Sequence, residues 1–182
     1  LGGPMQRKTF RTMVCPIARG LDRVGEWWSM LILRDAFAGM TRFDAFQTSL
    51  GIAPGMLTRR LKALVAAGLL ERRRYSTRPP RDEYVLTARG EDFRPVLITL
   101  LAWGNRHFAP EGASSQLVDA ASGATVEPLL VDRASRRPLV APDFALAPGP
   151  GARPGARVRP GSTRDLLGNP HPIDPDAKGA AR

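Results

Sequence analysis

Apolar residues recur every three or four positions in the first half of the chain and predict a series of amphipathic helices. A first candidate helix spans residues 19–38 and ends at Gly39. A second begins at Thr41, whose hydroxyl we expect to cap the helix together with Asp44, and it ends at Gly51. The first helix carries Leu21, Val24, Trp28, Leu31, Ile32 and Ala36 on one face, and the second carries Phe43 and Phe46.

The next segment has the pattern of a third helix followed by two strands. Pro54 suits a first helical position because its missing N–H would have no partner there, and Gly68 ends the helix after about Ala67. Residues 69–75 and 83–86 resemble paired strands joined by a turn. This order predicts a winged helix-turn-helix, a mainly α fold with a small β-wing. The third helix buries a stripe formed by Leu57, Leu61, Leu64 and Val65.

A further helix, from about Arg89 to Phe108, is more apolar than packing within one domain requires. Its surplus includes Ile98, Trp103 and Gly104, so we expect it to pack against a second copy in a two-fold dimer. The alternative is a helix packed only on its own core. The apolar residues in helical register are Phe93, Val96, Leu97, Leu100, Leu101 and Phe108.

Positive charge is concentrated in the third helix and the wing. Residues 53–81 contain eight Lys or Arg against one acidic residue, Glu71, in a chain of net charge +10. Such a face predicts a polyanion as partner, and in this fold we expect double-stranded DNA. Outward side chains of the helix would enter the major groove, and the proline-stiffened wing tip would meet the backbone or minor groove. The candidate DNA-contacting residues are Met56, Thr58, Arg59, Arg60, Lys62, Arg74, Arg78 and Arg81.

These candidates have different expected roles. Arg59 is the leading candidate for reading bases, and a phosphate contact is an equal alternative. Arg78 and Arg81 are assigned to backbone or minor-groove contacts. For residues 72–74 an ordinary solvated hairpin is equally open, because strand alternation sends Arg73 to the opposite face from its neighbours.

Composition excludes several other classes of protein. The longest apolar run, residues 96–103, is shorter than the roughly 20 residues of a membrane helix, and no leader pattern opens the chain, so we expect a cytoplasmic protein. One cysteine, Cys15, and two histidines, His107 and His171, predict no disulfide, metal site or cofactor. A cysteine enzyme is disfavoured because only His107 lies in the part expected to be ordered.

The chain after residue 109 differs in character and holds 11 of the 17 prolines. Over residues 147–182 it carries too little apolar surface to offset chain entropy, so we predict a disordered Pro/Gly-rich tail. Residues 110–146 predict a small β-hairpin appendage, because they contain short β-like pieces at 116–118, 126–131 and 138–140.

Many motif positions follow one another in a fixed order across five predicted elements. They are Cys15-Pro16, Trp27, Leu31-Ile32-Leu33-Arg34-Asp35, Arg42-Phe43, Gly51-Ile52, Leu57-Thr58, Arg60-Leu61, Leu64, Gly68-Leu69, Pro80, Tyr84, Leu86-Thr87, Gly90 and Trp103-Gly104. In these positions the chain resembles the HxlR-type winged-helix transcriptional regulators of bacteria. The resemblance covers roughly residues 15–109. It implies a dimeric DNA-binding repressor or activator, in which an N-terminal arm (residues 1–14) and the C-terminal helix form the dimer and residues 54–67 read the groove.

The chain departs from the family pattern at several positions. Glu26 stands where the family usually has lysine, which removes a positive charge near the DNA side of the fold. Ala53 replaces the usual capping serine, a loss of about 1 kcal/mol that Pro54 partly offsets. Longer family members carry paired cysteines in a C-terminal extension. Because Ser122-Gly123 and Val131 stand in their place, we predict no zinc.

Cys15 lies where some members of this family carry a cysteine that responds to oxidants or electrophiles. A redox-sensing regulator is therefore the alternative function, and a small buried hydrophobe is the alternative role for the side chain. The main prediction is a homodimeric, sequence-specific transcriptional regulator that binds double-stranded DNA, with an unknown small-molecule effector as a further partner. A winged helix that contacts RNA or protein stays open, because phosphate attraction does not distinguish nucleic acids.

Overall fold

The computed structural model describes residues 15–140, 143–144 and 149–151, which form six helices and two strands. The chain divides into two compact units between Pro128 and Leu129, and all eight elements lie in the first unit. The elements, in chain order, are α1 (Pro16–Val24), α2 (Trp27–Phe37), α3 (Phe43–Leu50), α4 (Pro54–Ala66), β1 (Leu70–Thr77), β2 (Pro80–Leu86), α5 (Ala88–Glu91) and α6 (Arg94–Phe108).

The single helix predicted over residues 19–38 is wrong, because two helices, α1 and α2, occupy this stretch. Gly25 ends α1 with its N–H donated to the carbonyl oxygen of Leu21 at 2.7 Å. Glu26 then adopts an extended conformation and begins α2. Both helices turn apolar residues to the same core, so their apolar periodicity reads as one helix across the break.

Helix α3 begins at Phe43, so the predicted start at Thr41 is also wrong. The carbonyl oxygen of Thr41 accepts a hydrogen bond from the N–H of Tyr84 at 2.7 Å, and Arg42 forms a β-bridge with Glu83. Thr41 therefore belongs to an extended edge beside β2, and Arg42, not Thr41, stands at the N-cap of α3.

Helix α4 matches the expected bounds and ends in a Schellman motif. Gly68 has a φ of +70°, and its N–H donates to the carbonyl oxygen of Val65 at 2.9 Å. The N–H of Leu69 donates to the carbonyl oxygen of Leu64 at 3.0 Å. Glycine suits this left-handed position, and the two bonds satisfy carbonyl groups that the helix end leaves open.

Strands β1 and β2 pair antiparallel and form the predicted wing. Leu70 lies opposite Leu86, and Thr77 lies opposite Pro80, with an irregularity in the register between Arg74 and Ser76. Both strands run further toward the tip than the sequence predicted.

The helix predicted from about Arg89 to Phe108 is wrong in its first turns, because α5 ends at Glu91 and α6 begins at Arg94. The Thr87 hydroxyl accepts a hydrogen bond from the N–H of Gly90 at 3.1 Å and so caps α5. Gly90 is buried, and a Cβ atom there would lie 2.1 Å from the carbonyl oxygen of Leu69. The start of the wing and α5 therefore approach more closely than any side chain at position 90 allows.

The core lies between α2, α3, α4 and the base of the wing. Phe46 and Leu70 are among its fully buried side chains, and each such side chain stabilises the fold by about 1.5–3 kcal/mol relative to exposure. None of the residues of α6 is buried. The other fully buried core side chains are Ile32, Leu33, Leu57, Leu61 and Leu64.

Two turns of the same construction follow α6, one in each compact unit. The Asp119 carboxylate accepts from the N–H of Ser122 at 2.8 Å, and the Asp132 carboxylate accepts from the N–H of Ser135 at 2.7 Å. These backbone bonds hold the pKa of both aspartates below the usual range. Among the described residues after 109, the expected β-pieces form isolated bridges in place of strands. The bridges join Val118 to Thr125 and Val131 to Pro138.

Two predicted segments fall partly or wholly beyond the described residues. The N-terminal arm of residues 1–14 lies outside them, as does most of the tail predicted over 147–182. In the described part of the chain, the helices are too short and too polar to cross a membrane.

Candidate nucleic-acid interface

Helix α4 has one buried face and one charged face. Leu57, Leu61 and Leu64 anchor the buried face in the core. On the opposite side Thr58, Arg59 and Lys62 are exposed. Packing of the leucine stripe therefore fixes which side chains project outward.

Arg59 and Lys62 are exposed cations without an ion-pair or hydrogen-bond partner among the residues that the structure describes. An unpaired guanidinium can donate two parallel hydrogen bonds to guanine O6 and N7 or to a phosphate. An unpaired ammonium acts as a point charge toward phosphate. The two side chains can thus meet DNA without first losing an internal partner.

Two other residues predicted on this face contribute less polar chemistry. The Thr58 hydroxyl donates to the carbonyl oxygen of Pro54 at 2.9 Å, which leaves its methyl group as an outward apolar contact. Met56 is half-buried and packs against the core. Its side chain therefore helps to pack the first turn of α4 against the core.

Arg60 differs from the expectation that grouped it with the outward cations. Its side chain is only 16% exposed, and its Nη2 atom lies 2.9 Å from Oε2 of Glu26. The position on α4 is turned toward the α1–α2 corner, since its guanidinium lies against Glu26 at the start of α2. The structure therefore favours a role for Arg60 in packing α4 over a direct DNA contact.

The wing tip carries two further exposed cations, Arg78 and Arg81. Neither side chain has a hydrogen-bond or ion-pair partner in the described part of the chain. The Ser76 hydroxyl donates to the carbonyl oxygen of Pro79 at 2.9 Å and closes the tip. A closed tip loses little entropy when it contacts DNA.

The other wing arginines are paired with acids on the hairpin. Arg74 Nε lies 2.5 Å from Oδ1 of Asp82, and Arg72 donates to Oδ2 of the same carboxylate. Hydrogen bonds from Arg74, which has the larger effect, and from Arg72 hold the pKa of the Asp82 carboxylate below its usual range. Arg73 instead pairs with Glu71 at 2.6 Å, as the predicted strand alternation requires. Much of the charge in residues 72–74 is thus neutralised internally.

Arg42 contacts the wing, which the sequence did not indicate. Its guanidinium carbon lies 5.0 Å from the centre of the Tyr75 ring, so the residue before α3 contacts the wing. Such a contact contributes about 0.5–1 kcal/mol when exposed. No periodicity links the two positions, because the contact depends on the bridge between Arg42 and Glu83.

Cys15 is exposed and lies immediately before α1. This placement disagrees with the alternative of a small buried hydrophobe. Its carbonyl oxygen accepts from the N–H of Arg19 at 3.1 Å, so the thiol lies at the first turn of a nine-residue helix.

A cleft of about 380 Å³ lies between α6 and residues 113–128, within the first compact unit. Leu101 and Leu117 contribute apolar walls, and Arg106 forms an ion pair with Glu127 at its rim. Its volume lies within the roughly 300–1,000 Å³ of small-molecule sites. The expected effector stays a prediction, for which this cleft offers a space of suitable size.

Comparison with known proteins places this geometry in a family. A family model described as HxlR-like helix-turn-helix matches residues 23–112. The HTH-type transcriptional regulator Rv3095 of Mycobacterium tuberculosis, itself uncharacterized, is 38% identical over 74% of this chain and 86% of its own length.

Two solved structures are similar over most of the described chain. PA1607, a candidate transcription factor, has a TM-score of 0.69 and 39% identity, covering 77% of this chain and 99% of its own. PA1374 of Pseudomonas aeruginosa, also a candidate transcription factor, has a TM-score of 0.57 and 57% identity, covering 76% of this chain and 95% of its own. The chain therefore belongs to the HxlR-like helix-turn-helix family, whose members are transcriptional regulators and not enzymes.

Proposed function

We propose that this protein is a sequence-specific regulator of transcription that binds double-stranded DNA as a homodimer in the cytoplasm. In this proposal α4 enters the major groove and the wing tip follows the backbone or the minor groove. Arg59 reads base edges, with Thr58 and Lys62 beside it. Arg78 and Arg81 hold the wing against phosphates.

The observation that carries the proposal is the distribution of unpaired positive charge. Arg59 and Lys62 on α4, and Arg78 and Arg81 on the wing tip, are exposed and lack partners among the described residues. The neighbouring Arg60, Arg72 and Arg74 are held by acids. The unpaired cations thus lie where a winged helix-turn-helix would meet DNA, and the paired cations are already neutralised by carboxylates of the protein.

The exposed apolar face of α6 supports the dimer. Val96, Leu100 and Trp103 follow one another at helical spacing and are 48%, 43% and 52% exposed. Large apolar groups in such a row are costly in water and are typical of an interface with a second chain. Two copies would present two α4 helices to adjacent half-sites, which a palindromic operator would match.

Selection of binding sites from random duplexes by the full chain, followed by titration at several salt concentrations, tests this function. We expect enrichment of a palindromic site that is bound at least about 10³-fold more tightly than a scrambled duplex, with affinity falling as salt rises. Equal affinity for selected and scrambled duplexes would contradict sequence-specific regulation. Equal affinity for single-stranded RNA would favour the RNA-binding alternative.

Oxidant sensing through Cys15 is a second candidate function, supported by exposure of the thiol at the first turn of α1. Oxidants attack cysteine sulfur directly, so an exposed thiol is accessible to them. Treatment with diamide, which oxidises two thiols to one disulfide and is itself reduced, should join Cys15 of the two chains of a dimer and release the wild-type protein from its operator, whereas Cys15→Ser should stay bound. Unchanged operator affinity of the oxidised wild-type protein would remove this function and leave the DNA-binding proposal intact.

A further inference from the structure

An ion pair links α4, the helix proposed to read DNA, to the corner between α1 and α2. Oε2 of Glu26 lies 2.9 Å from Nη2 of Arg60, which projects from the middle of α4. The two side chains are 26% and 16% exposed, so the pair is largely shielded from water. Among the described residues, the Glu71–Arg73 and Glu91–Arg94 pairs are by contrast exposed and join residues two or three positions apart.

The backbone on the Glu26 side of the pair is held by hydrogen bonds. Its carbonyl oxygen accepts from the N–H of Ser29 at 2.9 Å and from that of Met30 at 3.3 Å, which fixes residue 26 at the start of α2. Val24, two positions before Glu26, is a buried core residue. The carboxylate therefore projects from a backbone segment that is held on both sides.

The Arg60 side of the pair adds to the buried leucine stripe in holding the orientation of α4. Arg60 lies between the outward Arg59 and the fully buried Leu61. A rotation of the helix that moved the Arg59 guanidinium relative to a groove would also move Arg60 away from Glu26. The ion pair thus resists the motion that would misplace the base-reading side chain.

We propose that Glu26 is a positioning residue for sequence recognition, acting through Arg60 on the orientation of α4. The carboxylate also keeps Arg60 from serving as an additional phosphate contact, which would raise affinity for every sequence equally. Glu26 therefore favours discrimination over bulk affinity. This inference rests on the proposed DNA-binding function.

Glu26→Gln tests the inference, because it keeps the size of the side chain and one hydrogen-bond acceptor and removes the charge. Glu91→Gln is the matched control. It removes the same charge from an ion pair of 3.1 Å with Arg94, whose partners are 50% and 54% exposed and do not lie on α4. Affinities for the selected and the scrambled duplex are measured for both variants and for the wild type, and circular dichroism verifies folding.

We expect Glu26→Gln to lower the ratio of specific to scrambled affinity about tenfold, which corresponds to partial loss of one good base contact. Glu91→Gln should keep the ratio within about twofold, because exposed pairs contribute little. The double variant Glu26→Gln/Arg60→Gln should lose no more discrimination than the larger single loss, since either change already breaks the pair.

An unchanged ratio in Glu26→Gln, or additive losses in the double variant, would overturn the positioning role while the wild type still discriminates. A wild type that does not discriminate would instead overturn the proposed function itself. Glu26→Asp keeps the charge on a shorter side chain and should lose part of the discrimination. If Glu26→Gln does not fold, the ratio of specific to scrambled affinity is measured for Glu26→Asp instead, and an unchanged ratio would overturn the positioning role.

Discussion

At the scale of single residues, ion pairing separates the arginines of α4 and the wing into two groups. Arg59 and Arg78 are exposed and unpaired among the described residues, whereas Arg60 and Arg74 are each held by a carboxylate. Sequence position alone placed all four at the DNA. Their different partners give them different expected contributions to binding.

Arg74→Ala and Arg78→Ala form a matched pair on the same hairpin. Arg78→Ala should reduce the slope of log affinity against log salt by about 1, because one phosphate contact is lost. Arg74→Ala should change the slope by less than half as much, because Asp82 already neutralises that cation. Titrations of the scrambled duplex across salt concentrations measure both slopes, and a larger change for Arg74→Ala would contradict this account.

The candidate site could be predicted from the sequence in outline. The leucine stripe of α4 identified the outward side chains, because helical periodicity alone determines which residues share a face. The partners of Arg60 and Arg74 could not be predicted in the same way. Glu26 is far from Arg60 in sequence, and the pairing of Arg74 with Asp82 requires the register of the hairpin.

At the scale of elements, the fold was predictable except where tertiary contacts interrupt a pattern. The bounds of α4 were predicted because Pro54 and Gly68 act locally on the backbone. The break at Gly25 and the late start of α3 were not. In both, backbone hydrogen bonds set the boundary, and for α3 the partner is the distant Tyr84. The aspartate–serine turns after α6 could have been found from the matching segments at 117–122 and 130–135.

The contact between the wing and α5 gives a prediction about stability. Gly90→Ala should lower the free energy of unfolding by about 1–3 kcal/mol, because the added Cβ would lie 2.1 Å from the carbonyl oxygen of Leu69. Gly55→Ala on α4 is the control, since a Cβ there would have no atom within 4 Å outside its chain neighbours and its own helix backbone. Urea denaturation without DNA measures both. Equal stability of Gly90→Ala and wild type would show that this approach is not restrictive.

At the scale of the whole molecule, dimerisation would convert one reading helix into a pair. Helix α6 presents Val96, Leu100 and Trp103 on one face and lines the cleft with Leu101 on another. The apolar composition of this helix was visible in the sequence. Only the structure shows that the apolar residues of α6 form two faces, because residues 113–128 cover one face and leave the other exposed.

Leu100→Glu tests the dimer. The charge should raise the dimer dissociation constant by roughly 30-fold or more, which corresponds to about 2 kcal/mol at the centre of an interface. Leu129→Glu is the control, because Leu129 is 62% exposed but does not lie on α6. Sedimentation velocity over a range of concentrations measures the association. A Leu100→Glu protein as dimeric as the wild type would exclude this face from the interface.

We propose that α4 reads sequence while the wing tip supplies sequence-independent attraction. The most direct measurement compares Arg59→Ala and Arg78→Ala on the selected and the scrambled duplex at one salt concentration. Arg59→Ala should lower the ratio of the two affinities roughly 5- to 150-fold, which corresponds to about 1–3 kcal/mol of discrimination. Arg78→Ala should weaken binding to both duplexes alike. Equal losses from both variants on both duplexes would contradict this division of roles.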